Sequence, residues 1–235
     1  MTIKNVLAIG CHPDDIELGC ASALLEHRSL GHRTAMLVMT GGQQSRNFSS
    51  QTRTREQEAS AAILGAELYW GGFHDTEIDP GRATIDVIEQ AMNLVRPDVV
   101  YVHAPDDSHQ DHRTIAVATL SAARRLSRIL YYQTPSTTRF EPTVFIDAEE
   151  NLERKIAALE CHASQVEAGS FHIDAVRASA RYWGAFARIS QAEAFAPVRF
   201  VWDIATDLHV ADSLESMKFQ EETLFQVGRP STAVK

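Results

Sequence analysis

The chain has 235 residues, 44% of them hydrophobic and 23% charged, which suits a soluble globular protein with one large α/β domain. A formal net charge of −9 argues against nucleic acid or an anionic membrane as the main partner. No apolar run approaches the roughly 18 residues of a membrane span. Cys11, Cys20 and Cys161 show no CxxC spacing and fit a reducing compartment, so with no leader-like N-terminus the expected location is the cytoplasm.

Strand-length apolar runs alternate with helix-like segments along the chain. Residues 6–10 predict a strand and 16–30 a helix stopping near Gly31; 34–39 predict a second strand, closed by Thr40-Gly41-Gly42. A polar loop, 43–52, leads to a helix at 53–64 and a short strand at 67–70. Helix, strand, helix and strand follow at 83–95, 99–103, 111–125 and 129–132. A strand at 143–146, helices at 149–161 and 173–188, and a late strand at 198–202 complete the pattern; the tail beyond Thr206 has no clear reading. The alternation predicts an α/β, Rossmann-like fold, a mostly parallel sheet with helices on both faces, in one domain over 1–235.

Ligands of open α/β sheets gather at the carboxyl ends of the strands, where the strand order reverses. His12-Pro13-Asp14-Asp15 stands at such a place, after the first strand. A dinucleotide site would need a Gly-rich turn there; an imidazole and two carboxylates suit a cation instead. His12 and Asp15, three apart across a proline-stiffened turn, can reach one ion, which leaves Asp14 free to act on a water. Alone, the tetrad reads equally well as a strand-end histidine followed by helix-capping carboxylates.

The second cluster, His109-Gln110-Asp111-His112, follows the run 99–103 and tips that balance. One of its histidines completes a site of two nitrogens and a carboxylate with an open position, the donor set of catalytic zinc. The other faces the substrate, with Asp111 fixing its tautomer. The same donors describe a non-haem iron triad, though those enzymes are usually all-β. Asp106 and Asp107 read as solvated loop carboxylates, His162 as a packed histidine, and Trp70, Trp183 and Trp202 as core aromatics. Arg53 and Arg55 begin a helix, where a cation is unfavourable, so Arg55 reads equally as having a substrate or carboxylate partner at the site and as forming a surface salt bridge.

His12-Pro13-Asp14-Asp15 with Glu17-Leu18-Gly19, followed by His109-x-Asp111-His112, resembles the LmbE/PIG-L family of zinc-dependent N-acetylglucosaminyl deacetylases. Arg55-x-x-Glu58 with Ile63-Leu64-Gly65, Asp75, His162-x-Ser164-Gln165 and Ala192-Glu193-Ala194-Phe195 extend the likeness from about Val6 to Val201. The resemblance implies that His12, Asp15 and His112 hold zinc, with iron as the alternative ion. It makes Asp14 the general base, His109 the electrophilic or acidic partner, and Asp111 the group that orients it. Arg55 and Asp75 would contact the sugar. The implied substrate is a small acetylated aminosugar containing N-acetylglucosamine, the alternative an amide of a thiol conjugate, and a homo-oligomer is compatible. Cys11 in place of alanine and Ala21-Ser22 in place of Gly-Gly depart from the family pattern. Loops 43–51, 73–81 and 133–142 are expected to set specificity.

Overall fold

Strand and helix alternate in a computed structural model that describes residues 4–45 and 48–202. The first part of the chain runs β1 (Asn5–Gly10), α1 (Asp15–Ser29), β2 (Arg33–Thr40), α2 (Ser50–Leu64), β3 (Glu67–Phe73), α3 (Arg82–Val95), β4 (Val99–His103), α4 (Gln110–Ala122) and β5 (Arg128–Tyr132). Then come β6 (Val144–Asp147), α5 (Leu152–Glu160), α6 (Ala163–Ala168), α7 (Ile173–Ala187) and β7 (Ala192–Phe200). The described residues up to Val201 belong to one compact unit. The tail beyond Thr206, which the sequence left without a clear reading, lies outside the described residues.

The sheet has the order β3-β2-β1-β4-β5-β7-β6. β3 to β5 are parallel, and β7 pairs antiparallel with both β5 and β6. Val6 and Ala8 face Ile16 and Leu24 of α1, Leu64 of α2 and Ala158 of α5. Leu7 and Ile9 face the other way, into Ile88 and Val95 of α3 and Ile115 of α4. Both faces are covered, which is why the β1 and β4 runs are apolar throughout rather than alternating. After β1 the chain builds β2 and β3 on one side, then crosses to β4 on the other. The loops after β1 and β4 therefore flank the reversal of strand order, where a crevice opens. No described helix is long and apolar enough to cross a membrane.

Two elements differ from expectation. β7 begins at Ala192, six residues before the expected 198, because Ala-Glu-Ala-Phe-Ala-Pro lacks the β-branched signature of a strand. Pro197 is accommodated where the register with β5 shifts. The short α6, ended by Gly169 in the left-handed region (φ 69°), has no apolar period to announce it.

α1 is broken at Cys20 (φ −149°, ψ 21°), so its first turn, which carries Asp15, is set apart from the rest. The freed backbone groups are claimed by residues distant in sequence. The Glu193 carboxylate accepts from Ser22 N at 2.9 Å and Ala23 N at 2.8 Å, and Lys155 Nζ donates to Leu18 O and to Glu193, both at 2.7 Å. Tyr132, whose hydroxyl donates to Ile9 O at 2.7 Å, lies with its ring where a Cβ on Gly19 would stand. Gly19→Ala must push that ring aside, at a cost of about 1–3 kcal/mol. Thermal unfolding is expected at a clearly lower temperature than for the wild type, and an unchanged midpoint would contradict this packing.

Candidate metal centre and active site

Residues 11–15 continue from β1 as a turn closed by its own carboxylate. Asp15 Oδ2 accepts from Cys11 N at 3.1 Å and His12 N at 2.7 Å, while Thr40 N and Oγ1 hold Cys11 O at 2.9 and 3.0 Å. Asp14 takes a left-handed conformation (φ 99°) that costs a non-glycine residue of order 1–3 kcal/mol and recurs at functional sites. Its backbone N–H donates to Gln57 Oε1 at 3.2 Å.

The first turn of α4 brings His112 to this turn. His12 Nδ1 and Asp15 Oδ2 are 3.3 Å apart, His12 Nδ1 and His112 Nε2 3.3 Å, and His112 Nε2 and Asp15 Oδ2 3.4 Å. A tetrahedral ion with bonds of about 2.0–2.1 Å spaces its donors at roughly 3.3–3.4 Å, so this near-equilateral triangle has the size of one face of such a shell. Among the described residues, Cys11, Asp15, His103 and His112 form a second group of close donors, deeper in the fold.

The ring nitrogens pointing away from the triangle are engaged by carboxylates. His12 Nε2 lies 3.0 Å from Asp75 Oδ1 and 3.4 Å from Asp111 Oδ2. His112 Nδ1 lies 3.2 Å from both Asp107 Oδ2 and Ser136 Oγ. When those nitrogens carry the protons, the lone pairs of His12 Nδ1 and His112 Nε2 turn toward one point, the arrangement usual for metal-bound histidines. The electrostatics agree. Burial lowers both imidazoles, but Asp15 and Asp107 raise His112 to about 9, and Asp111, Asp15 and Asp75 hold His12 well above the ordinary range. Burial raises the Asp15 carboxyl, yet His112 and His103 hold it well below. The site favours positive charge where the three donors meet, which a divalent cation supplies by replacing protons. Donor spacing, tautomers and charge all fit such an ion.

Asp14 lines the cleft of about 630 Å³ beside the triangle. Burial pushes its carboxyl up to about 6, against the pull of the Arg53 guanidinium 3.6 Å away. His109, half-buried at the N-cap of α4, accepts from Asp111 N at 3.3 Å through Nδ1. Burial and the neighbouring imidazoles of His12 and His112 lower it, favouring a neutral ring with its proton on Nε2. Gln44, Ser45, Thr76 and Ser136, from the three loops expected to set specificity, also line the cleft.

Several side chains stand elsewhere than expected. Arg55 is exposed and outside the cleft, whereas Arg53 is buried in its wall and donates to Pro13 O at 2.6 Å. Two residues along a helix are about 200° of rotation, enough to exchange inside for outside. Asp107, expected in solvent, is buried against His112 and Thr134. Asp111 directs its carboxylate to His12 and to Thr76 N rather than to His109, which it meets through its backbone N–H. Asp75 lines the cleft but spends Oδ1 on His12. His103, read only as the end of a strand, stacks on His112 (3.9 Å between ring centres) with Nε2 3.2 Å from Asp15 Oδ2. Asp107→Asn is expected to weaken divalent-ion affinity about 10–100-fold in competition with a chromophoric chelator. Equal affinity would remove Asp107 from the support of His112.

Residues 7–123 match the PIG-L family model, described as GlcNAc-PI de-N-acetylase. A protein of Escherichia coli (strain K12) described as the uncharacterized deacetylase YaiS is 38% identical over 173 residues, 68% of this chain and 91% of that one. Diacetylchitobiose deacetylase of Thermococcus kodakarensis is 26% identical over 69% of this chain and 70% of its own length. A conserved protein of Thermus thermophilus superposes with a TM-score of 0.79 at 24% identity, covering 88% of this chain and all of that one. These likenesses show that the chain belongs to the PIG-L (LmbE-like) family of N-deacetylases.

Proposed function

We propose that this N-deacetylase is zinc-dependent and acts on a small acetylated aminosugar containing N-acetylglucosamine, with His12, Asp15 and His112 holding the ion. The observation that carries this reading is the donor triangle of 3.3–3.4 Å with the Asp14 carboxylate in the same cleft. Bound there, a divalent ion would supply Lewis acidity to the acetyl carbonyl and acidify a water beside it.

The protein's own groups do the rest. Asp14, raised toward neutrality by burial, is matched to take a proton from water near pH 7, and Arg53 keeps a share of it ionised. As the water oxygen bonds to the acetyl carbon, negative charge grows on the carbonyl oxygen. His109, a ring nitrogen of which lies within 4.8 Å of nitrogens of His12 and His112, donates Nε2–H to that oxygen. The proton held by Asp14 passes to the sugar nitrogen as the C–N bond breaks, leaving acetate and a free amine. Asp75 and Asp111 orient His12, and Asp107 and Ser136 orient His112.

Asp14→Asn is expected to bind zinc as tightly as the wild type and to lose about 10²–10⁴-fold in acetate release. His109→Ala is expected to keep the ion and lose about 10²–10³-fold. Acetate release from a panel of acetylated aminosugars should vanish with chelator and return with zinc. Release that a chelator leaves untouched, or a fully active Asp14→Asn, would overturn the reading.

A further inference from the structure

The inner face of α2 is polar, and its buried side chains Arg53, Gln57 and Ser60 are spaced i, i+4 and i+7, one stripe along the helix. Polar groups in a core are costly unless paired, so their partners show what the stripe serves. Two of the three converge on a single peptide bond, Pro13–Asp14. Arg53 Nη2 donates to Pro13 O at 2.6 Å, and Gln57 Oε1 accepts from Asp14 N at 3.2 Å. The carbonyl and the N–H of a trans peptide point in opposite directions, so holding both fixes the plane of the bond. Directly beyond that plane Asp14 takes its left-handed conformation (φ 99°), without a glycine to ease it. Gly42 makes room for the guanidinium, because a Cβ there would stand on Arg53.

Gln57 by itself can present either end of its amide to Asp14. Glu17 decides which. Its fully buried carboxylate accepts from Gln57 Nε2 at 2.6 Å and from the Ser60 hydroxyl at 2.5 Å. A carboxylate only accepts, so it draws the NH₂ of Gln57 toward itself and turns the carbonyl oxygen to Asp14 N. His162, equally buried, lies with Nε2 3.4 Å from Glu17 Oε1. Glu56 ties the helix that follows His162 to α2, accepting from Ser164 N at 2.8 Å and Ser164 Oγ at 2.6 Å. Glu17, Gln57 and Ser60 are absent from the wall of the metal cleft, so they act on the reaction only through Asp14.

From this we infer that Gln57 and Glu17 are positioning residues for Asp14: Gln57, with Arg53, clamps the Pro13–Asp14 peptide so that Asp14 keeps the left-handed turn that presents its carboxylate to the cleft, and Glu17 sets the donor–acceptor order of the clamp. This rests on the reading of Asp14 as the general base and adds to it the groups that hold the base in place. Released from the clamp, the peptide can rotate and Asp14 relax toward the right-handed region, which takes its carboxylate out of line with the water.

The test uses the full-length, zinc-loaded protein. Gln57→Met keeps the length of the side chain and removes both of its hydrogen bonds. The double variant Glu17→Gln with Gln57→Glu keeps one carboxylate and reverses the order of the pair. The new amide at position 17 donates to the new carboxylate at position 57, whose other oxygen accepts from Asp14 N, and the Ser60 hydroxyl turns from donor to acceptor. In acetate release from the aminosugar the wild type turns over best, Gln57→Met should lower kcat about 10–100-fold with KM and zinc affinity unchanged. The double variant should recover kcat to within about fivefold of the wild type. Gln57→Asn, which keeps the amide and shortens its reach, gives the same reading if Gln57→Met does not fold. A wild-type kcat in Gln57→Met, a loss confined to KM or zinc affinity, or a double variant as slow as Gln57→Met would overturn the inference. Exchange of the Asp14 amide proton, followed by nuclear magnetic resonance, reads the clamp without turnover: slow in the wild type and the double variant, about tenfold or more faster in Gln57→Met. If that pattern holds while the wild type releases acetate from no aminosugar, the clamp stands and the aminosugar reading falls. If the wild type releases acetate and Gln57→Met matches it in rate and in exchange, the clamp alone falls.

Discussion

One carboxylate oxygen, Asp15 Oδ2, ties the site together. It accepts the backbone N–H groups of Cys11 and His12, lies 3.2 Å from His103, and forms a corner of the triangle with His12 and His112. The turn after β1 is shaped around that oxygen, which ties together the strand end, the strained Asp14 and the first turn of α1. This is how a site on loops is held to fractions of an ångström: the chain folds onto its own ligand atom.

Charge is the second constraint. Asp14, Asp15, Asp75, Asp107 and Asp111 are all buried within a small volume, with three of the imidazoles among them. Such a concentration of carboxylates is costly unless positive charge sits in its midst. Without a cation, protons on His12 and His112 meet that need, as their raised affinities show. The same polarisation makes the place selective for a divalent ion over a neutral ligand. The break in α1 serves this arrangement from a distance, because Glu193 and Lys155 let the turn bearing Asp15 follow the β1 loop while the rest of the helix packs on the sheet.

Much of this was legible in the chain itself. Histidines and aspartates at the ends of runs as apolar as those of β1 and β4 are out of place in a core, and the fold brings both clusters to one crevice because each follows a strand at the reversal of strand order. Arg53 was hidden by the character of α2, whose buried positions include Arg53, Gln57 and Ser60. With so polar an inner face, no apolar stripe fixes the phase of the helix, and a choice between Arg53 and Arg55 had nothing to rest on. Asp107 looks like any loop carboxylate until its partners Thr134 and Thr137, some 30 residues on, are in place. Glu193 meets α1 only through contacts about 170 residues apart, which no local pattern records.

The central claim is that one divalent ion sits where His12, Asp15 and His112 converge. X-ray absorption at the zinc edge of the zinc-loaded protein tests it directly. The account predicts a first shell of nitrogen and oxygen at about 2.0–2.2 Å with two imidazole signatures and no sulfur. A sulfur scatterer at about 2.3 Å would instead put the ion on the deeper group that includes Cys11 and His103, and would contradict it.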